Sequence, residues 1–115
     1  MTQVKTILLI DDDDDLRAAL AEQFVMTEEF SVVEACTGAD ALTHVKNGLF
    51  DFLIIDVGLP DTDGRELCRL MRKQGLKTPV IMLTGHATDA DTILGLDAGA
   101  NDYVSKPFNK KLINT

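Results

Sequence analysis

Cysteine is scarce in this chain. The two that occur, Cys36 and Cys68, are too far apart for a CxxC redox pair and lack the spacing of zinc ligands. They are expected to be two small thiols, buried or half-buried, rather than a disulfide. Basic residues are also few: 11 Lys and Arg stand against 19 Asp and Glu, a net charge of −8. That balance argues against direct binding to nucleic acid, whose phosphates demand a surplus of cations, and it suits a bound cation or a basic partner surface. No apolar run approaches the roughly 20 residues of a membrane-spanning helix, and no charged-then-apolar secretory leader precedes Ile7. A cytoplasmic location is therefore expected. Repeats and linkers are missing, and 115 residues leave room for one core and one domain over 1–115.

What the chain does have is a run of five carboxylates, Asp11 to Asp15, directly after the apolar stretch Ile7-Leu8-Leu9-Ile10. Adjacent carboxylates repel one another, so a fold that keeps them together needs a reason. A second apolar stretch, Phe52-Leu53-Ile54-Ile55, ends in the same way at Asp56. Acids at the tips of two strands offer an oxygen cage to a hard divalent cation such as Mg²⁺.

The hydrophobic period alternates between short apolar runs and helical spacing. Strands are predicted at residues 4–10, 30–35, 51–56, 79–83 and 103–105. The first helix is expected over about 16–26, with Leu16, Leu20 and Phe24 on one face and the preceding acids favoured at its N-terminus. Thr37 can cap a second helix to about Lys46, with Ala41, Leu42 and Val45 inward and Gly48 as its stop. Residues 58–64 are turn chemistry throughout. A third helix follows to near Gly75 with Leu67, Leu70 and Met71 inward, and a fourth covers about 89–98 before Gly99. Lys106-Pro107 breaks the last strand, and a fifth helix begins at Asn109 but is truncated at Thr115. Apolar strands without strict alternation imply a parallel sheet buried on both faces, wound by right-handed crossovers into a doubly wound α/β fold.

In such a fold the carboxyl ends of strands one, three, four and five meet. They carry Asp11 and Asp12, then Asp56, then Thr84 beside the small Gly85, then Lys106. A carboxylate there can act as a nucleophile toward a phosphoryl group, with acids holding Mg²⁺, Lys106 supplying positive charge and Thr84 a hydrogen bond.

These residues carry a resemblance. Ile7 to Asp12, Asp56 to Gly64, Leu83-Thr84-Gly85 and Gly99 to Phe108 lie in order, each at a strand end. On them the chain resembles the receiver domain of bacterial two-component response regulators along nearly its whole length. The resemblance implies the flavodoxin-like strand order 2-1-3-4-5 and makes Asp56 the phosphoacceptor. It makes Asp12 a direct Mg²⁺ ligand (Mn²⁺ being a possible substitute), Asp11 a ligand largely through water, and the Gly58 carbonyl the last protein donor. Thr84 and Lys106 would bind the phosphoryl group, the Lys106-Pro107 peptide would be cis, and Tyr103 would be the switch aromatic. Gly58 and His86 would set the phosphate lifetime through water access. The implied partners are a sensor histidine kinase and an output domain or downstream protein. A homodimer through the face of helix four, strand five and helix five is the implied association. Two positions depart from the subfamily that uses that face, since Thr92 and Asn101 replace a usually basic and a usually acidic residue. The incomplete fifth helix implies a piece of a longer regulator, and a dimer or a marginal monomer. Such a domain would assist its own phosphorylation and dephosphorylation without being an enzyme in the usual sense.

The remaining acids have plainer readings. Asp13, Asp14 and Asp15 suit a solvated helix start, and Asp61 and Asp63 suit side chain-to-backbone bonds in a turn. His44 is expected to face solvent. A constitutive metal- or protein-binding module is the main alternative, and it would not need acceptor, acid pair and lysine together. An aspartate-nucleophile phosphatase is weaker, because Gly58 stands where a second acid is required.

Overall fold

The computed structural model describes the backbone of residues 4–84 and 99–105 and the side chains of 4–83 and 99–101. The chain alternates strand and helix: β1 (Lys5–Ile10), α1 (Asp14–Met26), β2 (Phe30–Ala35), α2 (Gly38–Asn47), β3 (Phe52–Asp56), α3 (Gly64–Lys73), β4 (Val80–Thr84) and β5 (Asp102–Ser105). The strands form one parallel sheet in the order β2-β1-β3-β4-β5. This is the doubly wound arrangement and strand order expected from the sequence. The helices predicted over 89–98 and from 109 onward lie outside the described residues, as does Thr92.

β1 and β3 sit at the centre, and their apolar runs are buried on both faces, as parallel pairing requires. The two-residue strand period divides them between two cores. Leu8, Ile10, Leu53 and Ile55 pack against Ala41 of α2 and Leu67, Cys68 and Met71 of α3. Ile7, Leu9 and Ile54 face the other way, onto Leu20, Ala21 and Phe24 of α1. On that second face Phe24 meets Phe30 edge-on at 5.4 Å, and Phe30 meets Phe52 at 6.0 Å, a favourable geometry for aromatic quadrupoles. Among the described residues, no helix is long and apolar enough to cross a membrane.

Several local expectations need correction. α1 starts at Asp14 rather than Leu16, because Asp13 is its cap and accepts the Leu16 N–H at 3.0 Å. Leu70 is not inward: it is 41% exposed, and Cys68 takes the core position on α3. Cys36 is exposed rather than buried or half-buried, while Cys68 is buried, and both are free thiols. Burial pushes the Cys68 thiol above its ordinary value, so it is protonated and inert at neutral pH. Gly48 ends α2 in an extended conformation (φ −152°), so it is not used there for left-handed freedom.

Asn101, which stands where the subfamily that uses the face of helix four, strand five and helix five usually has an acid, is engaged inside the molecule. Its Oδ1 accepts the Val80 N–H at 2.8 Å and Arg72 Nη2 at 3.0 Å. Arg72 also donates to the carbonyls of Leu76, Thr78 and Gly99, tying the end of α3 to the start of β4 and the entry to β5. Gly99 has φ +106°, and a Cβ there would come within 2.8 Å of Arg72 Cγ, so both conformation and contact call for glycine.

Candidate functional site: an acid cluster at the carboxyl edge of the sheet

Strand register builds the site. β1 and β3 are neighbours with Ile10 opposite Ile55, so Asp11 and Asp56 leave the sheet side by side. Asp56 in turn pairs with Leu83, and Thr84 with Ser105. The register therefore brings the backbone of Thr84 to the same edge. The side chains of Thr84 and Tyr103 lie outside the described residues, as do Gly85, His86, Lys106 and Pro107; the predicted cis bond is among these.

Asp11, Asp12 and Asp56 each offer a carboxylate oxygen within 4.8 Å of the others. Asp11 and Asp56 are buried, while Asp12 is exposed. Burying two neighbouring carboxylates is costly without compensating positive charge. Three hard oxygen donors, two held in place and one at the surface, match what Mg²⁺ or Mn²⁺ prefers. The residues present therefore fit the cation implied by the resemblance.

The backbone around the cluster is closely specified. The Asp11 N–H donates to the Ala35 carbonyl at 3.1 Å, and Asp11 Oδ1 accepts the Asp13 N–H at 2.9 Å. The Val57 N–H donates to the Leu83 carbonyl at 3.0 Å, fixing the chain just after Asp56. A Cβ built on Gly58 would meet only Asp56 Oδ2, at 3.8 Å, so Gly58 borders the Asp56 carboxylate directly. Gly64 is different. A Cβ there would lie 2.2 Å from the Asp56 carbonyl oxygen and 3.0 Å from Ile55 Cγ2, so α3 begins in contact with the backbone of β3.

The other acids of these loops serve the backbone, as expected. Asp63 caps α3, accepting the Arg65 N–H at 2.8 Å and pairing with its guanidinium, which holds the Asp63 carboxyl below its ordinary range. Asp61 reaches across to α2 and accepts the N–H groups of Gly38 and Ala39 at 2.8 and 3.0 Å. Those two bonds pull the Asp61 carboxyl below its ordinary value. Gly38 has no room for a side chain, since a Cβ would come within 2.6 Å of Thr62 Cγ2. His44 stands on the outer face of α2, 3.7 Å from Asp40.

Two contributors leave little trace in the sequence. Gly64 reads in sequence as a turn residue, although the tight strand-to-helix junction depends on it. Arg17 was not singled out at all. Its only sequence signal is the i, i+3 spacing from Asp14, with which it pairs at 2.7 Å. Burial works against the Arg17 charge, but bonds to Asp14 and Glu34 outweigh it and leave the guanidinium raised.

Comparison with known proteins agrees with this geometry. Residues 7–115 match the response regulator receiver domain family. The transcriptional regulatory protein TcrA of Mycobacterium tuberculosis is 42% identical over 104 residues, covering 90% of this chain and 40% of TcrA. The alkaline phosphatase synthesis transcriptional regulatory protein PhoP of Bacillus subtilis is 36% identical over 110 residues, covering 96% and 45%. The chain thus spans less than half the length of these curated relatives. Among solved structures, the BeF₃-activated DrrB receiver domain superposes with a TM-score of 0.84 at 33% identity, covering 96% of this chain and 92% of that one. DrrB is described as a Thermotoga maritima OmpR/PhoB homolog. The receiver domain of Francisella response regulator 1452 gives a TM-score of 0.86 at 30% identity, covering 95% and 89%. On its sheet order, its acid cluster and these matches, the chain belongs to the response regulator receiver domain family of two-component systems.

Proposed function

We propose that the domain accepts a phosphoryl group on Asp56 from the phosphohistidine of a sensor kinase. The observation that carries this reading is the convergence of Asp11, Asp12 and Asp56 within 4.8 Å at the carboxyl edge of the sheet. An Asp56 carboxylate oxygen attacks phosphorus, the P–N bond to the imidazole breaks with its electron pair leaving on nitrogen, and the imidazole takes a proton from solvent. Asp11, Asp12, Asp56 and the Gly58 carbonyl would hold Mg²⁺, or Mn²⁺ in its place. When bound, the ion would offset negative charge gathering on the phosphoryl oxygens. Thr84 and Lys106 complete the proposed phosphoryl site, and the small Gly58 beside Asp56 Oδ2 leaves room for water, so that Gly58 and His86 tune hydrolysis. Activation of the related DrrB domain with BeF₃, a phosphoryl mimic, supports this chemistry.

The domain consumes no free substrate catalytically; it is a phosphoacceptor that assists its own modification and its reversal. Thr84 and Tyr103 would pass the state of Asp56 to an output domain or downstream protein, in the cytoplasm. Relatives named as transcriptional regulatory proteins support an output in transcription. In that assembly residues 1–115 would be the receiver, the output domain would contact nucleic acid, and the face of helix four, strand five and helix five would pair copies.

The test is intact mass after incubation with Mg²⁺ and acetyl phosphate. One added phosphoryl group on the parent, absent from Asp56→Asn and lost on chelation, is the expected result. A folded protein that takes up neither phosphoryl nor beryllofluoride would instead be a constitutive binding module.

A further inference from the structure

Arg17 lies in α1, and its side chain is only 15% exposed. Its guanidinium donates to three parts of the molecule. Nη1 reaches the Asp11 carbonyl oxygen at 2.7 Å, Nε reaches Glu34 Oε1 on β2 at 3.1 Å, and Nη2 reaches Asp14 Oδ1 at 2.7 Å. An exposed pair with Asp14 alone would contribute little. The bond to the Asp11 carbonyl is of another kind. That oxygen belongs to the planar peptide joining Asp11 to Asp12, and the plane includes both Cα atoms. Holding the oxygen therefore orients the peptide plane and the two Cα atoms from which both acidic side chains leave the backbone. Glu34, one residue before the Ala35 carbonyl that accepts the Asp11 N–H, anchors the other side of the fork.

We infer that Arg17 is a positioning residue for the acid cluster: it holds the Asp11–Asp12 peptide so that two of the three carboxylates are preset for a divalent cation. This rests on the proposed role of Asp11, Asp12 and Asp56 as cation ligands. Charge and positioning act here with opposite signs. A guanidinium near an acid cluster repels a second cation, so removing its charge alone would tighten binding. Removing a positioning contact weakens binding, by about 10-fold at the low end for groups that orient metal ligands.

The experiment is a Mn²⁺ titration followed by electron paramagnetic resonance on the full chain, well below its melting temperature. Arg17→Ala is expected to weaken Mn²⁺ binding about 10-fold. Arg17→Lys keeps the charge but not the rigid fork, and should stay measurably weaker than the parent. Leu20→Ala loosens the same helix from the core without touching Asp11; it should melt earlier yet bind Mn²⁺ like the parent. If Arg17→Ala fails to fold, Arg17→Lys and Glu34→Ala carry the test, the latter also weakened because the fork loses its β2 anchor. Parent-like or tighter binding by Arg17→Ala, full recovery in Arg17→Lys, or an equal loss in Leu20→Ala would each overturn the inference. A parent that binds no Mn²⁺ would instead overturn the cation reading beneath it.

Discussion

Two groups of acids lie within a few residues of each other at the carboxyl edge of the sheet, and they do opposite work. Asp13, Asp61 and Asp63 turn their carboxylates onto backbone N–H groups at the starts of α1, α2 and α3. Asp11, Asp12 and Asp56 bring carboxylate oxygens within 4.8 Å of one another, Asp11 also accepting the Asp13 N–H. Residue type does not distinguish the groups, and neither does local charge density. The difference is where the backbone leaves its amides. A helix start has orphan N–H groups that a nearby carboxylate satisfies. The tips of two adjacent parallel strands bring acids from distant parts of the sequence side by side. An acid-rich loop is therefore not in itself a cation site, and strand register decides which acids gather into a cluster.

The largest effect should come from the junction that separates the groups. Gly64→Ala forces a Cβ toward the Asp56 carbonyl and should cost about 3 kcal/mol in urea denaturation, at the upper end for overpacking. Gly58→Ala, whose added Cβ meets only a carboxylate oxygen at 3.8 Å, should cost under about 1 kcal/mol and act on phosphate lifetime instead. Equal costs at the two glycines would remove the distinction between a packed junction and an open site wall.

Mg²⁺ should sharpen the contrast next. At a free concentration roughly ten times its dissociation constant, the ion should stabilise the parent by about 1.4 kcal/mol. Chelation should reverse this gain in thermal melts. Asp11→Asn should lose the Mg²⁺ response, whereas Asp63→Asn should keep it. Asp63→Ala should cost about 1 kcal/mol without altering the response, the usual effect of losing a helix cap.

The smallest effect is on acid stability. Asp61 and Asp63 have carboxyls held below their ordinary values in the folded state, so their contribution is fully present above the unfolded value of about 3.9. It is lost as pH falls through the depressed folded values. Melts between pH 5 and pH 2 should therefore fall less steeply for Asp61→Asn than for the parent. An unchanged slope would mean that the bonds to Gly38 and Ala39 do not bias Asp61 toward its charged form.

Much of the fold was legible because buried parallel strands leave a plain signal. Ile7 to Ile10 and Leu53 to Ile55 are apolar without a break, and each ends on the acid that matters. β2 and the Thr37 cap were equally clear. Leu70 was misplaced because helical spacing defines a stripe but not its centre, and a small rotation of the stripe puts Cys68 inside instead. The acid group of Asp11, Asp12 and Asp56 was legible from strand ends, and the capping role of Asp61 and Asp63 from turn composition. Arg17, Arg72 and the crowding at Gly64 were not legible. Their partners lie on other elements or in the backbone, where single-sequence patterns carry no record of distance.

The most direct measurement is a Mg²⁺ titration, by calorimetry, of the parent beside Asp11→Asn, Asp12→Asn, Asp56→Asn, Asp61→Asn and Asp63→Asn. One ion per chain is expected, bound much more weakly by the first three variants and with nearly parental affinity by the last two. Loss of affinity in Asp61→Asn or Asp63→Asn as large as in Asp56→Asn would contradict it.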